Sequence, residues 1–133
     1  MKSNLQEFTQ NIIVTEKDLD ELNHVNNVRY IEWVNIIAKS HWLKTASTNT
    51  IKNYFWVLLS HTIDYKKAAF LNEELILKTY VIKAEGVTSI RIVEVINAKT
   101  NSLLSKSETK WCFMDAKTQK PARITEEISK LFC

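Results

Sequence analysis

The chain has 133 residues, 45% of them apolar and 25% charged, with a net charge of +3. One domain of this size buries a real core without metal or disulfide staples, so a disordered chain, a fibrous repeat and a disulfide mini-protein are all excluded. Glycine and proline occur once each, as Gly86 and Pro121, which removes the glycine-rich phosphate loops of Rossmann and Walker sites.

In chain order, residues 1–7 lack the apolar core of a signal peptide. Residues 7–16, with Phe8, Ile12, Ile13 and Val14, read as a first strand. A polar, acidic stretch follows over 17–24, and Asn26 or Asn27 is a plausible N-cap for a helix over 27–44. The polar residues Arg29, Glu32, Asn35 and Lys39 of this helix form one narrow stripe, and the rest of its circumference is apolar. Such a helix shows water only a sliver and must be wrapped. Residues 45–52 read as a polar linker.

Four strand-like runs then supply the wrapper. In the first, Val57, Leu59, His61, Ile63 and Tyr65 fall on one face. Its start, residues 54–59, is the longest apolar run of the chain, far short of a membrane span. The second covers 74–83; the third covers 87–98 after a turn at Glu85-Gly86, with apolar residues on both faces. The fourth covers 103–115, with Trp111 and Phe113 sharing a face with Ser105, Ser107 and Thr109. Short turns and alternation argue an antiparallel sheet. The tail starts at Pro121 and ends as a short helix. An α+β domain over 1–133 results, with a curved sheet around one long helix as the economical solution and a flatter two-layer sandwich as the alternative.

Cys112 and Cys133, with no histidine in ligand spacing, do not make a structural zinc site; they read as one buried and one terminal thiol in a reducing cytosol. No metal or cofactor is expected. The basic surplus lies in the second half of the chain, where Lys66, Lys67, Arg91 and Lys110 are candidates to balance an anionic ligand. The four tryptophans, Trp33, Trp42, Trp56 and Trp111, read mostly as core, and His41 and His61 read as structural.

The segment Asp18-Leu19-Asp20-Glu21-Leu22-Asn23-His24-Val25-Asn26-Asn27-Val28-Arg29-Tyr30 closely resembles the D-x-D-x-x-G-H-V-N-N-x-x-Y signature of the hotdog-fold acyl-CoA thioesterases of the 4-hydroxybenzoyl-CoA thioesterase-like family. Ile63-Asp64-Tyr65 and the ending from Asp115 to Ile124 look like further parts of that pattern. Asn23 stands where the family has glycine, a position asparagine tolerates. Leu22 and Ala68 stand where the plant acyl-carrier-protein enzymes have an asparagine and a glutamate, so the single-aspartate bacterial type fits better.

The resemblance implies a curled sheet around a central helix, and cytoplasmic hydrolysis of acyl-CoA or acyl-carrier-protein thioesters. Asp20 matches the catalytic aspartate, as general base or nucleophile. His24 assists it. Backbone amides at the helix start polarise the thioester carbonyl. Asn26, Asn27 and Tyr30 stand at the substrate-binding positions, and some of the tryptophans are candidates to line an acyl tunnel. Glu32 is a rival acid, since other hotdog enzymes carry a carboxylate on the helix. A homodimer or homotetramer with the site at an interface is implied, and no nucleic acid or membrane partner. A non-catalytic acyl-thioester-binding protein and a hotdog dehydratase are the alternative uses of the fold.

Overall fold

A computed structural model describes residues 6–132; residues 1–5 and Cys133, and with them the expected terminal thiol, lie outside the described residues. Strand β1 (Phe8–Ile13) leads through a 3-10 turn (Glu16–Asp18) to helix α1 (Asn27–Thr45). A short helix α2 (Thr48–Asn53) precedes four long strands, β2 (Tyr54–Tyr65), β3 (Glu74–Glu85), β4 (Thr88–Asn97) and β5 (Leu103–Asp115). A two-residue strand β6 (Lys120–Pro121) and helix α3 (Glu126–Lys130) close the chain. The sheet is antiparallel throughout, in the order β1-β3-β4-β5-β2, with β6 on β5. It covers one side of α1.

On α1 the residues Tyr30, Trp33, Val34, Ile37, Ala38, His41 and Trp42 are buried, the i, i+3, i+4 stripe of a helix lying on a sheet. The expectation of a helix wrapped on nearly all sides needs correction. Val28, Ile31, Ile36 and Leu43 are exposed beside Glu32 and Asn35. One sheet reaches half of a helix, and apolar periodicity does not distinguish cover by the same chain from cover by another.

Strand β2 also departs from strict alternation. The ladder with β5 slips between Leu58 and Ser60, so Leu59 is an extra residue and the pairs are Trp56 with Phe113, Leu58 with Trp111 and His61 with Thr109. Directly paired residues share a face. Trp56 and Leu58, rather than Val57 and Leu59, therefore join His61 and Ile63 on the helix side. A bulge shifts the parity of everything upstream of it. The 45–52 segment, expected as a linker, holds α2, capped by the Ser47 side chain on the Thr50 amide.

The core falls into two apolar clusters. One joins Tyr30, Trp33, Val34 and Ile37 to Leu75, Leu77, Val93 and Val95. The other joins Trp42 and Phe113 to Val81, Ile128 and Phe132. Between them lies a buried polar layer of His41, Thr79, Arg91 and Thr109. Arg91 Nη1 donates to Thr79 Oγ1 at 2.9 Å and lies 2.9 Å from His41 Nδ1. Since arginine only donates, His41 Nδ1 accepts and the imidazole is neutral. Burial, reinforced by the Arg91 charge, pushes His41 down to about 4.

This layer has a pH consequence. An unfolded histidine takes up its proton near pH 6.5, the folded one only near pH 4. The unfolded state therefore binds more protons between those values, and stability falls as the pH drops from 6.5 to 4. The loss is up to about 3 kcal/mol and is complete below both pKa values. Urea unfolding at pH 7 and pH 4.5 is expected to show this drop in the wild type, and a clearly smaller one in His41→Gln, which keeps an acceptor for Arg91 but does not titrate.

Candidate active site

The segment before α1 is a tight turn closed by a bridge between Leu19 and Val25. Asn23 sits at φ 66°, the left-handed conformation for which the family uses glycine, and asparagine is the non-glycine residue that accepts it best. The next residues are stitched to the 69–70 segment: the Val25 amide donates to the Ala69 carbonyl, and His24 bridges Phe70.

The two aspartates of the motif have different environments. Asp18 is buried; its Oδ2 accepts from the Thr15 amide at 2.8 Å and its Oδ1 accepts from Arg29 Nε at 2.6 Å. It ties the 3-10 turn to the helix, and its charge is answered. Asp20 is half-buried. Its Oδ1 accepts from the Leu22 amide at 2.9 Å and the His24 amide at 3.3 Å, the side-chain-to-backbone pattern of an Asx turn. Its Oδ2 lies 3.8 Å from His24 Nδ1. The His24 ring stands edge-on to Phe70.

Just beyond, Asn26 caps the helix, its Oδ1 accepting from the Val28 amide at 2.9 Å. The Arg29 amide donates to the Asn26 carbonyl. No acceptor among the described residues meets the Asn27 amide. It is an unused donor at the positive end of a helix of 19 residues. Asn27 itself is exposed, and its carbonyl accepts from the Tyr65 hydroxyl at 3.2 Å.

Tyr30, expected among the substrate-binding residues, is only 2% exposed, with its ring edge-on to Trp33 and Tyr65. Burial pushes its hydroxyl up to about 12. Its side chain belongs to the core beneath the helix start. Glu32 is exposed and paired with Arg29 Nη1 at 2.6 Å, a solvated position.

An apolar cavity lies elsewhere. It holds about 410 Å³ against the second half of α1, with Ala38, Trp42, Trp56, Trp111 and Phe132 in its walls. Arg91, one of the four candidates to balance an anionic ligand, lines it too and is buried. Arg91 shares parity with the buried Val93 and Val95, but apolar residues on both faces of β4 hid which parity faces inward.

The chain belongs to the Thioesterase-like superfamily, whose family model matches residues 14–132. Its fold is the hotdog fold of solved thioesterase structures. It is similar to YbaW, a probable thioesterase from Escherichia coli, at 22% identity over 92% of this chain and 94% of that one, with a TM-score of 0.82. It is similar to Slr0204, a 1,4-dihydroxy-2-naphthoyl-CoA thioesterase from Synechocystis, at 17% identity over 96% of each chain and a TM-score of 0.82. The hypothetical protein SAV2348 from Staphylococcus aureus, solved in complex with CoA, matches at 18% identity over 96% of this chain and 82% of that one, with a TM-score of 0.81. No curated protein matches. Thioester hydrolysis is the general activity these likenesses support. No helix among the described residues is long and apolar enough to cross a membrane.

Proposed function

We propose that the protein hydrolyses acyl-CoA thioesters, with Asp20 as the reacting carboxylate. The observation that carries this is the difference between the two motif aspartates. Asp18 is bonded to Thr15 and Arg29 on both oxygens, whereas Asp20 has Oδ2 free of hydrogen bonds among the described residues, facing His24 at 3.8 Å. The Asn27 amide stands ready for the carbonyl oxygen, where developing negative charge meets a helix N-terminus. Asp20 either takes a proton from the attacking water, or attacks the carbonyl itself, breaking the C–S bond and expelling the CoA thiolate, to give an anhydride that water then opens. His24 orients the water or the substrate. Asn26 shapes the turn that aims the amides, and Tyr30 holds the helix start from below. The CoA thioester class draws support from the similar 1,4-dihydroxy-2-naphthoyl-CoA thioesterase and from the similar protein solved in complex with CoA.

Hydrolysis of an acyl-CoA panel of increasing chain length, by the wild type and Asp20→Asn, tests the reading. Free thiol release by the wild type that collapses in the variant is expected. Equal rates remove Asp20 from the chemistry. Turnover of acyl-carrier-protein substrates alone moves the substrate class. Binding without turnover by the wild type leaves the non-catalytic alternative, which the Asx-turn role of Oδ1 favours.

The active unit in this proposal is a dimer or a larger assembly. Strand β2 is a sheet edge, paired on one side by β5. Val57, Leu58 and Leu59 are exposed along it, and Val28, Ile31, Ile36 and Leu43 are exposed on α1. A long apolar edge is a template for another strand, and apolar patches of this kind mark contact surfaces. Sedimentation at micromolar concentration is expected to give a dimer or larger species, and Leu59→Lys a monomer with reduced turnover. A monomeric wild type would contradict this.

A further inference from the structure

The cavity against the second half of α1 is not used by the chemistry proposed for Asp20. At ~1.5 Å of rise per residue, its helix residues Asn35 to Leu43 lie roughly 12–24 Å along α1 from Asn27. Its walls are largely aromatic: Trp42, Tyr54, Phe55, Trp56, Trp111 and Phe132. Two cations, Lys39 and Arg91, line it, and no carboxylate does.

Arg91 is the unusual member. It is 6% exposed. Its bonding partners, Thr79 and His41, are neutral, and the Phe132 ring lies 5.5 Å from its guanidinium carbon. Among the described residues no carboxylate pairs with it. A buried guanidinium is usually answered by an anion, because desolvating a charge without a partner is costly. Both described bonds use Nη1, which leaves Nε and Nη2, the edge that grips a carboxylate in a fork. At about 410 Å³ the cavity has the size of a small-molecule site, with apolar walls and one fixed polar anchor.

We propose that this cavity binds a carboxylate carried on an apolar body, with the carboxylate on Arg91 and the body among the aromatic walls. Two ligand sources share that chemistry: a free fatty or aryl-alkanoic acid, and the far-end carboxylate of a dicarboxylic acyl thioester. The proposal does not depend on turnover at Asp20.

Three of the wall residues are tryptophans, so intrinsic fluorescence reports occupancy. Decanoate and decanol, equal in length and differing in charge, are titrated into the full chain. The acid is expected to bind about ten- to a hundredfold tighter than the alcohol, the range of a charge-assisted hydrogen bond. Arg91→Met is expected to abolish that preference while still binding decanol, and Arg91→Lys to retain part of it. Equal binding of acid and alcohol by the wild type overturns the proposal, and that comparison needs no variant to fold. A preference undiminished in a folded Arg91→Met overturns it as well.

Displacement of decanoate by sebacoyl-CoA but not by decanoyl-CoA assigns the carboxylate to a thioester's far end. Failure of both to displace it assigns it to a free acid. Either result supports the site. Asp20→Asn is expected to keep the acid preference, so a loss of hydrolysis there leaves this result standing.

Discussion

Asp20→Asn is expected to lower kcat for acyl-CoA hydrolysis by about 10²–10⁴-fold, the usual contribution of a positioned general base. The fold is expected to be untouched. Asparagine keeps the Oδ1 acceptor that receives the Leu22 and His24 amides, so the Asx turn survives. It replaces the open oxygen beside His24 with a donor that neither accepts a proton nor attacks a carbonyl. Tm is therefore expected to stay within ~2 °C of the wild type, as for a substitution that removes no structural bond.

Asp20→Ala separates the two roles differently. It loses the turn acceptor as well, so about 1 kcal/mol of stability goes with the activity. Asp18→Asn is the converse control. It weakens the charge-assisted bond from Arg29 Nε, so stability falls first, and turnover only as far as the turn loosens. Thiol release kinetics and thermal melts on the three variants check the set. If Asp20→Asn melts like the wild type and turns over like it, the reacting group lies elsewhere.

The site and the fold were legible to different degrees. Helix α1 was expected over 27–44 and runs Asn27–Thr45, because its buried stripe repeats for more than three turns and Asn26 caps it. Strands β3 to β5 followed from alternation between short turns. Helix α2 did not: six residues with two threonines and two asparagines carry neither periodicity nor propensity, and Ser47 with tertiary packing makes the turn. The bulge at Leu59 was invisible, because an inserted residue leaves the sequence apolar on both parities. For the proposed site, the motif pointed to Asp20 and His24 and gave the Asn26 cap that the structure holds. It did not give Asp18 its structural role, which depends on Thr15 and Arg29 bonding its two carboxylate oxygens. Arg91 was singled out as a candidate for an anionic ligand, but its cavity was missed because apolar residues on both faces of β4 hid which parity faces inward.

Phe113→Ala is expected to cause the largest loss of stability. The ring is fully buried under the second half of α1. Tyr54 stacks on it with centroids 4.6 Å apart, Trp56 tilts against it at 4.7 Å and Trp42 meets it edge-on at 6.4 Å. Deleting a core phenylalanine costs about 3–5 kcal/mol, the transfer of the ring plus the cavity left behind. The upper end is expected here, because the three neighbours are rigid rings that cannot flow into the gap as methionine would. Against a typical stability of about 5–15 kcal/mol this is a large share. In a chain of this length it lowers Tm by roughly 10–20 °C. Phe113→Leu, which refills most of the volume, is expected to cost less than half as much. Urea unfolding with an unchanged m-value measures both. The same three rings line the Arg91 cavity, so losing the Phe113 ring that supports them is expected to weaken decanoate and decanol alike, a loss of apolar wall rather than of charge. That distinguishes it from Arg91→Met, which is expected to spare the alcohol.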